Sequence, residues 1–327
     1  MQAKAEKRQR PLLIETLAAL LVMALVTLIS PASAAPLDQA MDRVFTVRSN
    51  DAEDRFLGSA FVWADGTVAV TNAHVVGQAE EVRLIDRHGT DIAALVIARD
   101  PVRDVAVISL PASTQGLPLA PDAPQLGDEV FALGAPLGIE FTLTEGRIST
   151  LARQTDIAVP MLMLQHDAAV NPGSSGGPLV DAEGRLLGMN SQIADGSRMF
   201  VGIAYAIPTA ELDRIVTGLI DETLPPFPTL GLTARPVDRQ VAEALGTKAQ
   251  GLLIDAVAPG GLAETSGLKP GDIIIRASGT TLGNPGDFAF AIESASADGQ
   301  ATLTLLRAGQ EQVLTLALTE PEDTGLR

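Results

Sequence analysis

Over residues 41 to about 110, and again over 130 to about 203, apolar residues come in short runs broken by turn residues, with no helical period carried across them. A chain patterned this way must build its core from short antiparallel strands. Residues 61–64 and 67–70 flank Asp65-Gly66, a strong two-residue hairpin signal. Residues 82–85 and 92–98 flank Arg87-His88-Gly89-Thr90 in the same manner, and 105–110 reads as a buried strand. Closely spaced strands without long helices imply a sandwich or a barrel.

Residues 209–222 break the pattern, because Leu212, Ile215, Val216, Leu219 and Ile220 recur at helical spacing and predict a surface helix that closes the unit. Residues 223–228 follow, and their three prolines forbid further helix and favour a stiff, extended connection. The domain boundary is expected there. Beyond it, strands are expected at 251–257, 272–277, 301–307 and 312–318 and a short helix at 287–295, with 319–327 a polar tail. The expected organisation is therefore a first domain over 38–222, a linker over 223–228 and a second module over 229–318, as a length of 327 residues suggests.

Composition narrows the function. A net charge of −17 argues against a nucleic-acid binder, which needs clustered positive charge. With no cysteine and three histidines there is no disulfide and no Cys-ligated metal site, and nothing suggests a metal or an organic cofactor. Aromatics at 3% leave little for stacking platforms. The N-terminus carries Lys4, Lys7, Arg8 and Arg10, then an apolar run over 17–29 and the small residues Ala32-Ser33-Ala34-Ala35, the layout of a secretory signal. Cleavage after Ala34 takes away four basic and two acidic residues and leaves a chain of about −19. The competing expectation for residues 1–35 is an uncleaved signal anchor, since 12–29 approaches the roughly 20 residues a bilayer needs. Both put the bulk of the chain outside the cytoplasm, in the periplasm or an equivalent space, with the membrane involved only if the anchor stays.

The chemistry concentrates in Asn171-Pro-Gly-Ser-Ser-Gly-Gly-Pro178. Glycines let a backbone turn sharply and aim N–H groups into one small space, as an oxyanion hole beside a nucleophile requires. Alone, such a string is an ordinary turn. His74, in Thr71-Asn-Ala-His-Val-Val76, and Asp104, immediately before the strand at 105–110, change that. His, Asp, Ser in that order, spaced by 30 and 71 residues, is the chymotrypsin-type order of a catalytic triad.

TNAHVV, DVAVISL and NPGSSGGPL resemble the three motifs of the HtrA/Deg serine proteases, and the likeness extends over residues 56–210, including Gly58-Ser-Ala-Phe61, Leu133-Gly-Ala-Pro-Leu137 and Gly202-Ile-Ala-Tyr-Ala-Ile-Pro208. The resemblance implies a mainly β fold: a chymotrypsin-like pair of six-stranded β-barrels, followed by one α+β PDZ domain. It implies Ser175 as nucleophile, His74 as general base and acid, Asp104 as the group that fixes the imidazole, and the N–H groups of Gly173 and Ser175 as oxyanion donors. The family usually has Asn where this chain has Ser174, so Ser174 competes with Ser175; Ser175 matches the family's serine before Gly176-Gly177. Asp100 competes with Asp104, but Asp100-Pro101 reads as a turn. His88 is expected in an exposed turn, and His166, where the family commonly has Thr, is expected in a local structural role. Ala169, six before the nucleophile, is expected at the base of the S1 pocket; small and uncharged, it points to cleavage after Val, Ala, Leu or Ile.

Residues 258–273, Gly- and Pro-rich between two strands, resemble a bacterial PDZ domain. The resemblance implies capture of a C-terminal carboxylate by backbone N–H groups of Leu230, Gly231 and Leu232, with apolar residues of the 287–295 helix such as Phe290 or Ile292 lining the pocket. It further implies an ATP-independent serine endopeptidase of the cell envelope, acting on unfolded or specific protein substrates, assembled as a homotrimer. A PDZ-bearing chaperone or adaptor with an inert triad is the alternative.

Overall fold

The computed structural model describes residues 35–51, 53–153, 161–193, 200–225, 227–237, 241–243, 250–282 and 285–318. The expected leader and the expected polar tail lie outside them. Two closed six-stranded barrels and a further sheet carry the chain. The first barrel uses β1 (Val44–Ser49), β2 (Phe56–Val62), β3 (Val68–Thr71), β4 (Glu81–Ile85), β5 (Asp91–Asp100) and β6 (Val105–Ser109), in the order β1-β2-β3-β6-β5-β4. The second uses β7 (Glu129–Gly134), β8 (Thr142–Arg153), β9 (Met163–His166), β10 (Pro178–Val180), β11 (Leu186–Ile193) and β12 (Ala204–Pro208), in the order β10-β11-β12-β9-β8-β7. Closure leaves neither barrel with a free edge.

Both faces of several strands are buried, so the strands read as continuous apolar runs. In β6, Val105 and Val107 join a core that extends to Leu133, Val180 and Ile207 of the second barrel, whereas Ala106 and Ile108 join a core confined to the first. The first of these cores welds the barrels together. Strands β2 and β3 form the expected hairpin, pairing Phe61 with Val70 and Val62 with Ala69. Gly66 takes its turn at φ +78°, and the Asp65 carboxylate accepts from the Thr67 N–H and hydroxyl.

The helix Thr209–Ile220 buries Leu212, Ile215 and Val216 against the shared core, as its spacing predicts. Among the described residues, three short α-helices were not legible in the pattern: Pro36–Met41, the single turn Ala73–Val76 that carries His74, and Leu262–Thr265 in the second module. All are too short for a period to register.

After the linker, β13 (Leu232–Pro236), β14 (Leu252–Val257), β15 (Ile273–Ala277), β17 (Gln300–Arg307) and β18 (Gln310–Ala317) form a sheet in that order, with β16 (Thr280–Thr281) paired to β15. The helix Pro285–Ala295 packs on it through Phe288 and Ile292. The linker is pinned at both ends: Leu224 packs against the shared barrel core and Phe227 against the core of the second module. Between them the buried Arg103 guanidinium donates to Glu293 Oε1 at 2.7 Å and to the Pro225 carbonyl at 3.2 Å, lies 5.8 Å from the Phe227 ring centre, and also pairs with Asp100. Arg214 reaches the same Glu293 oxygen at 2.9 Å. Among the described residues no helix is long and apolar enough to cross a membrane.

Candidate active site

His74 and Asp104 meet where the turn Ala73–Val76 faces the start of β6. His74 Nδ1 lies 2.9 Å from Asp104 Oδ1 and 3.0 Å from Oδ2, and the His74 backbone N–H also donates to Oδ1, at 3.1 Å. Asp104 adopts φ +56°, a left-handed conformation that costs an ordinary residue about 1–2 kcal/mol. Its bonds hold it there, including one from Asn72 Nδ2 to its carbonyl at 2.9 Å. Its carboxylate also accepts from Ser191 Oγ at 2.7 Å. The hydrogen bond with Asp104 raises the proton affinity of His74 above the ordinary imidazole value, against the opposing effect of burial.

Asp100, the competing carboxylate, serves elsewhere. Its Oδ1 accepts from the N–H groups of Val102 and Arg103, each at 2.9 Å, and its other oxygen pairs with the Arg103 guanidinium. It anchors the turn that presents Asp104.

The glycine-rich loop is fixed from several sides. Gly173 has φ +105° and Gly176 φ +81°, both in the region that favours glycine. A Cβ on Gly173 would lie 2.3 Å from the Ala135 carbonyl oxygen, and one on Gly176 2.1 Å from that of Ser59. Buried Ser59 donates its hydroxyl to the Gly173 carbonyl at 2.7 Å and accepts from the Ala135 N–H at 3.0 Å. Within the loop, the N–H groups of Ser174, Gly176 and Gly177 bond to the carbonyls of Asn171, Asn190 and Ser174. Among the described residues the N–H groups of Gly173 and Ser175 have no acceptor, so both are available to a ligand oxygen.

Ser174 accepts the Asn171 N–H at 3.2 Å with its hydroxyl and so closes its own turn. Ser175 Oγ donates to the Ser191 carbonyl at 3.2 Å. It makes no hydrogen bond to the His74 ring among the described contacts. A cleft of about 390 Å³ opens here, lined among others by His74, Val170, Gly173, Ser175, Asn190 and Ser191. Ala169 is not in that lining; its carbonyl accepts from Thr144 Oγ1 at 2.8 Å, and its neighbour Val170 supplies the apolar wall.

His88 is exposed in the turn after β4, 3.3 Å from Asp42 Oδ1. His166 ends β9 and is fully buried. Ser191, Asn72 and Ser59 were missed in the sequence. The available signal for Ser191 was a pair of polar residues, Asn190-Ser191, directly after the apolar run 186–189 of a strand. Among the described residues no group of three or more His, Asp or Glu is arranged to hold a metal ion.

In the second module β13 lies at one end of the sheet order, so its outer edge is unpaired among the described strands. The Leu230 and Gly231 carbonyls accept from Ala263 and Ala258, at 2.9 and 2.7 Å, and their N–H groups carry no backbone bond among the described residues. Gly231 turns at φ +68°. Ile292 is wholly buried in the module core, so it supplies no exposed groove surface, whereas Phe290 is half-buried. Helical geometry puts the two on different faces.

Comparison with known proteins agrees with the fold that carries this site. Residues 58–189 match the trypsin-like peptidase domain and residues 253–307 the PDZ domain. The chain is 34% identical over 275 residues to a probable periplasmic serine endoprotease DegP-like of Marinomonas sp. (strain MWYL1), covering 82% of this chain and 58% of that protein. A protein of the same description from Halomonas elongata is 32% identical over 280 residues, covering 85% and 59%. The chain therefore spans somewhat under two thirds of these relatives' length. Among solved structures, the HtrA-type protease AlgW with tripeptide superposes at a TM-score of 0.71 with 29% identity, covering 90% of this chain and all of that one. A serine endoprotease from Yersinia pestis gives 0.64 and 27%, covering 90% and 100%.

Proposed function

The chain belongs to the HtrA-type trypsin-like serine proteases that carry a PDZ domain, and from that premise we propose that it is an ATP-independent endopeptidase cutting unfolded or signalling proteins. One observation carries this: Ser175 bonds to Ser191, Ser191 to Asp104 and Asp104 to His74, joining four separate segments at one cleft.

In this mechanism His74 Nε2 takes the proton of Ser175 Oγ as the oxygen attacks the scissile carbonyl. Asp104, on Nδ1, keeps that nitrogen protonated and stabilises the imidazolium that forms. The N–H groups of Gly173 and Ser175 hold the tetrahedral oxyanion, each contributing roughly 10²–10³ in rate. His74 then protonates the leaving amine, the C–N bond breaks, and a water deprotonated by the same ring hydrolyses the acyl-enzyme. For this mechanism the Ser175 hydroxyl, bonded to the Ser191 carbonyl in this structure, has to turn toward His74 before it attacks. The cleft lining includes Val170 and no carboxylate, which supports cleavage after small or medium aliphatic residues. A peptide library with a dominant P1 Arg preference would contradict this.

The N–H groups of Leu230, Gly231 and Leu232 bind a C-terminal carboxylate, and the peptide adds as a strand beside β13. The peptides in the AlgW structures support a peptide-binding role. A peptide ending in a carboxamide should bind at least about tenfold more weakly than its free acid, one charge-assisted bond being worth about 1.5–3 kcal/mol. The periplasmic relatives support an extracytoplasmic location; mass spectrometry of the N-terminus separates a cleaved leader from an anchor, and light scattering tests the homotrimer.

Labelling by a fluorophosphonate probe together with casein degradation separates this function from that of an adaptor with an inert triad. Ser175→Ala should abolish both and Ser174→Ala should retain both. Persistent proteolysis in Ser175→Ala would overturn the assignment.

A further inference from the structure

His166 is a buried histidine that the proposed mechanism does not use. It is 0% exposed and, among the described residues, both ring nitrogens lack a partner in hydrogen-bonding geometry; among the same residues the one other orphan acceptor in this barrel core is Asn190 Oδ1, also buried. The two residues sit two strands apart, on β9 and β11. The strand between them, β12, pairs Ala204 with His166 and Ala206 with Asn190. Both alanines are fully buried, so only methyl groups stand on β12 at the two positions paired with His166 and Asn190. The two groups are close enough for Asn190 to raise the ring's proton affinity against the larger, opposite effect of burial, which holds it down to about 4. Asp167 is the charged neighbour that acts in the same direction as Asn190.

The orientation of the carboxamide is not free. Asn190 Nδ2 donates to the Gly177 carbonyl at 3.1 Å and to that of Pro178 at 3.2 Å, so Oδ1 must be the atom turned to the ring. An acceptor buried there needs a donor, because leaving it unmade costs about 1–3 kcal/mol. Asn190 is also the splint of the candidate nucleophile loop. Its carbonyl accepts from Gly176 and its N–H donates to Gly177, both at 2.9 Å, and the next residue, Ser191, contacts both Ser175 and Asp104.

We propose that His166 is a positioning residue for the acylation step: its neutral ring donates one N–H to Asn190 Oδ1, fixing the carboxamide that aligns the Gly176-Gly177 backbone and Ser191 with Ser175. The ring acts through Asn190 and touches no reacting atom. This rests on the endopeptidase function proposed above.

The test uses the full-length protein and the rate of fluorophosphonate labelling, with kcat and KM on a peptide substrate. His166→Leu, which removes the donor, should lower the labelling rate and kcat by at least about tenfold at unchanged KM, in line with a lost buried hydrogen bond. His166→Gln, which keeps an N–H donor, should recover most of that loss. Labelling of His166→Leu at the wild-type rate, or His166→Gln no better than His166→Leu, would sink the proposal while leaving the endopeptidase intact. Loss of the endopeptidase itself would show separately, as unlabelled wild-type protein. If the leucine variant does not fold, ¹⁵N-histidine spectra of the wild-type chain decide. With three histidines in the sequence, one should show a single neutral tautomer at pH 7 with a slowly exchanging ring N–H; rapid exchange or mixed tautomers at His166 would refute the bond.

Discussion

Ser191 donates its hydroxyl to Asp104 Oδ2 at 2.7 Å across 87 residues of sequence. The bond ties the second barrel to the carboxylate presented by the first, so the relative setting of the barrels is written into the site. Ser191→Ala removes that donor but keeps the carbonyl that receives Ser175. A hydrogen bond to a charged group is worth about 1.5–3 kcal/mol, so kcat on a peptide substrate should fall about 10- to 100-fold with KM little changed. A kcat within twofold of wild type would show that the other bonds to Asp104 suffice.

His74 must be neutral to accept the serine proton, and its bond to Asp104 raises its pKa above the ordinary 6.5. Activity is therefore lost as pH falls through that raised value, and the acid limb of kcat/KM should have its midpoint above 6.5. Asp104→Asn should move the limb to lower pH and reduce kcat by up to about 10⁴. An unmoved limb would mean that another group titrates there.

Burial lowers the His166 pKa to about 4, so between there and its ordinary 6.5 the unfolded chain binds more protons than the folded one. Stability from this group is complete above about 6.5 and is lost as pH falls toward 4. His74, with a raised value, has the opposite sign: its contribution is lost as pH rises through its folded pKa. Urea unfolding at pH 7.5 and 4.5 should show a drop about 2–3 kcal/mol smaller in His166→Leu than in wild type. Equal drops would place the ring in solvent contact.

Gly173→Ala sets a Cβ against the Ala135 carbonyl and the Phe56 ring, at 2.3 and 2.7 Å, in a φ that L residues avoid. The loop must shift, and with it the Gly173 N–H. A fall in kcat of at least about 10² is expected, as for loss of one oxyanion donor; stopped-flow acylation at the wild-type rate would argue against that role.

Glu293 joins Arg103 and Arg214 of the barrel unit to the helix of the second module. Glu293→Gln, made in a Ser175→Ala background to prevent self-cleavage, should loosen the linker. Thermolysin cleavage near Leu224 or Phe227 should accelerate about tenfold or more, as one charge-assisted bond is weakened. An unchanged cleavage rate would mean that Leu224 and Phe227 hold the linker by packing alone.

Short apolar runs with Gly and Asx turns determined a β architecture, because strand periodicity and turn conformation are local properties. Leu212, Ile215 and Val216 likewise announced their helix, and the prolines of 223–228 fall between that helix and the strand that starts the last sheet. His74, Asp104 and Ser175 were legible through their motifs. What joins them was not: Ser191, Asn72 and Ser59 are small polar residues whose partners lie far away in sequence, and no local pattern marks such a pair. Asp104 was already preferred over Asp100 in the sequence, and the structure adds what Asp100 does instead: its oxygens are spent on backbone N–H groups and Arg103. Val170 is among the residues that line the cleft, a placement that no local sequence pattern announces. Composition and local chemistry thus determined the kind of fold and the reactive groups. Only tertiary packing decided which polar atoms are buried together, and burial is what turns a serine, an asparagine or a histidine into an obligatory hydrogen-bond partner.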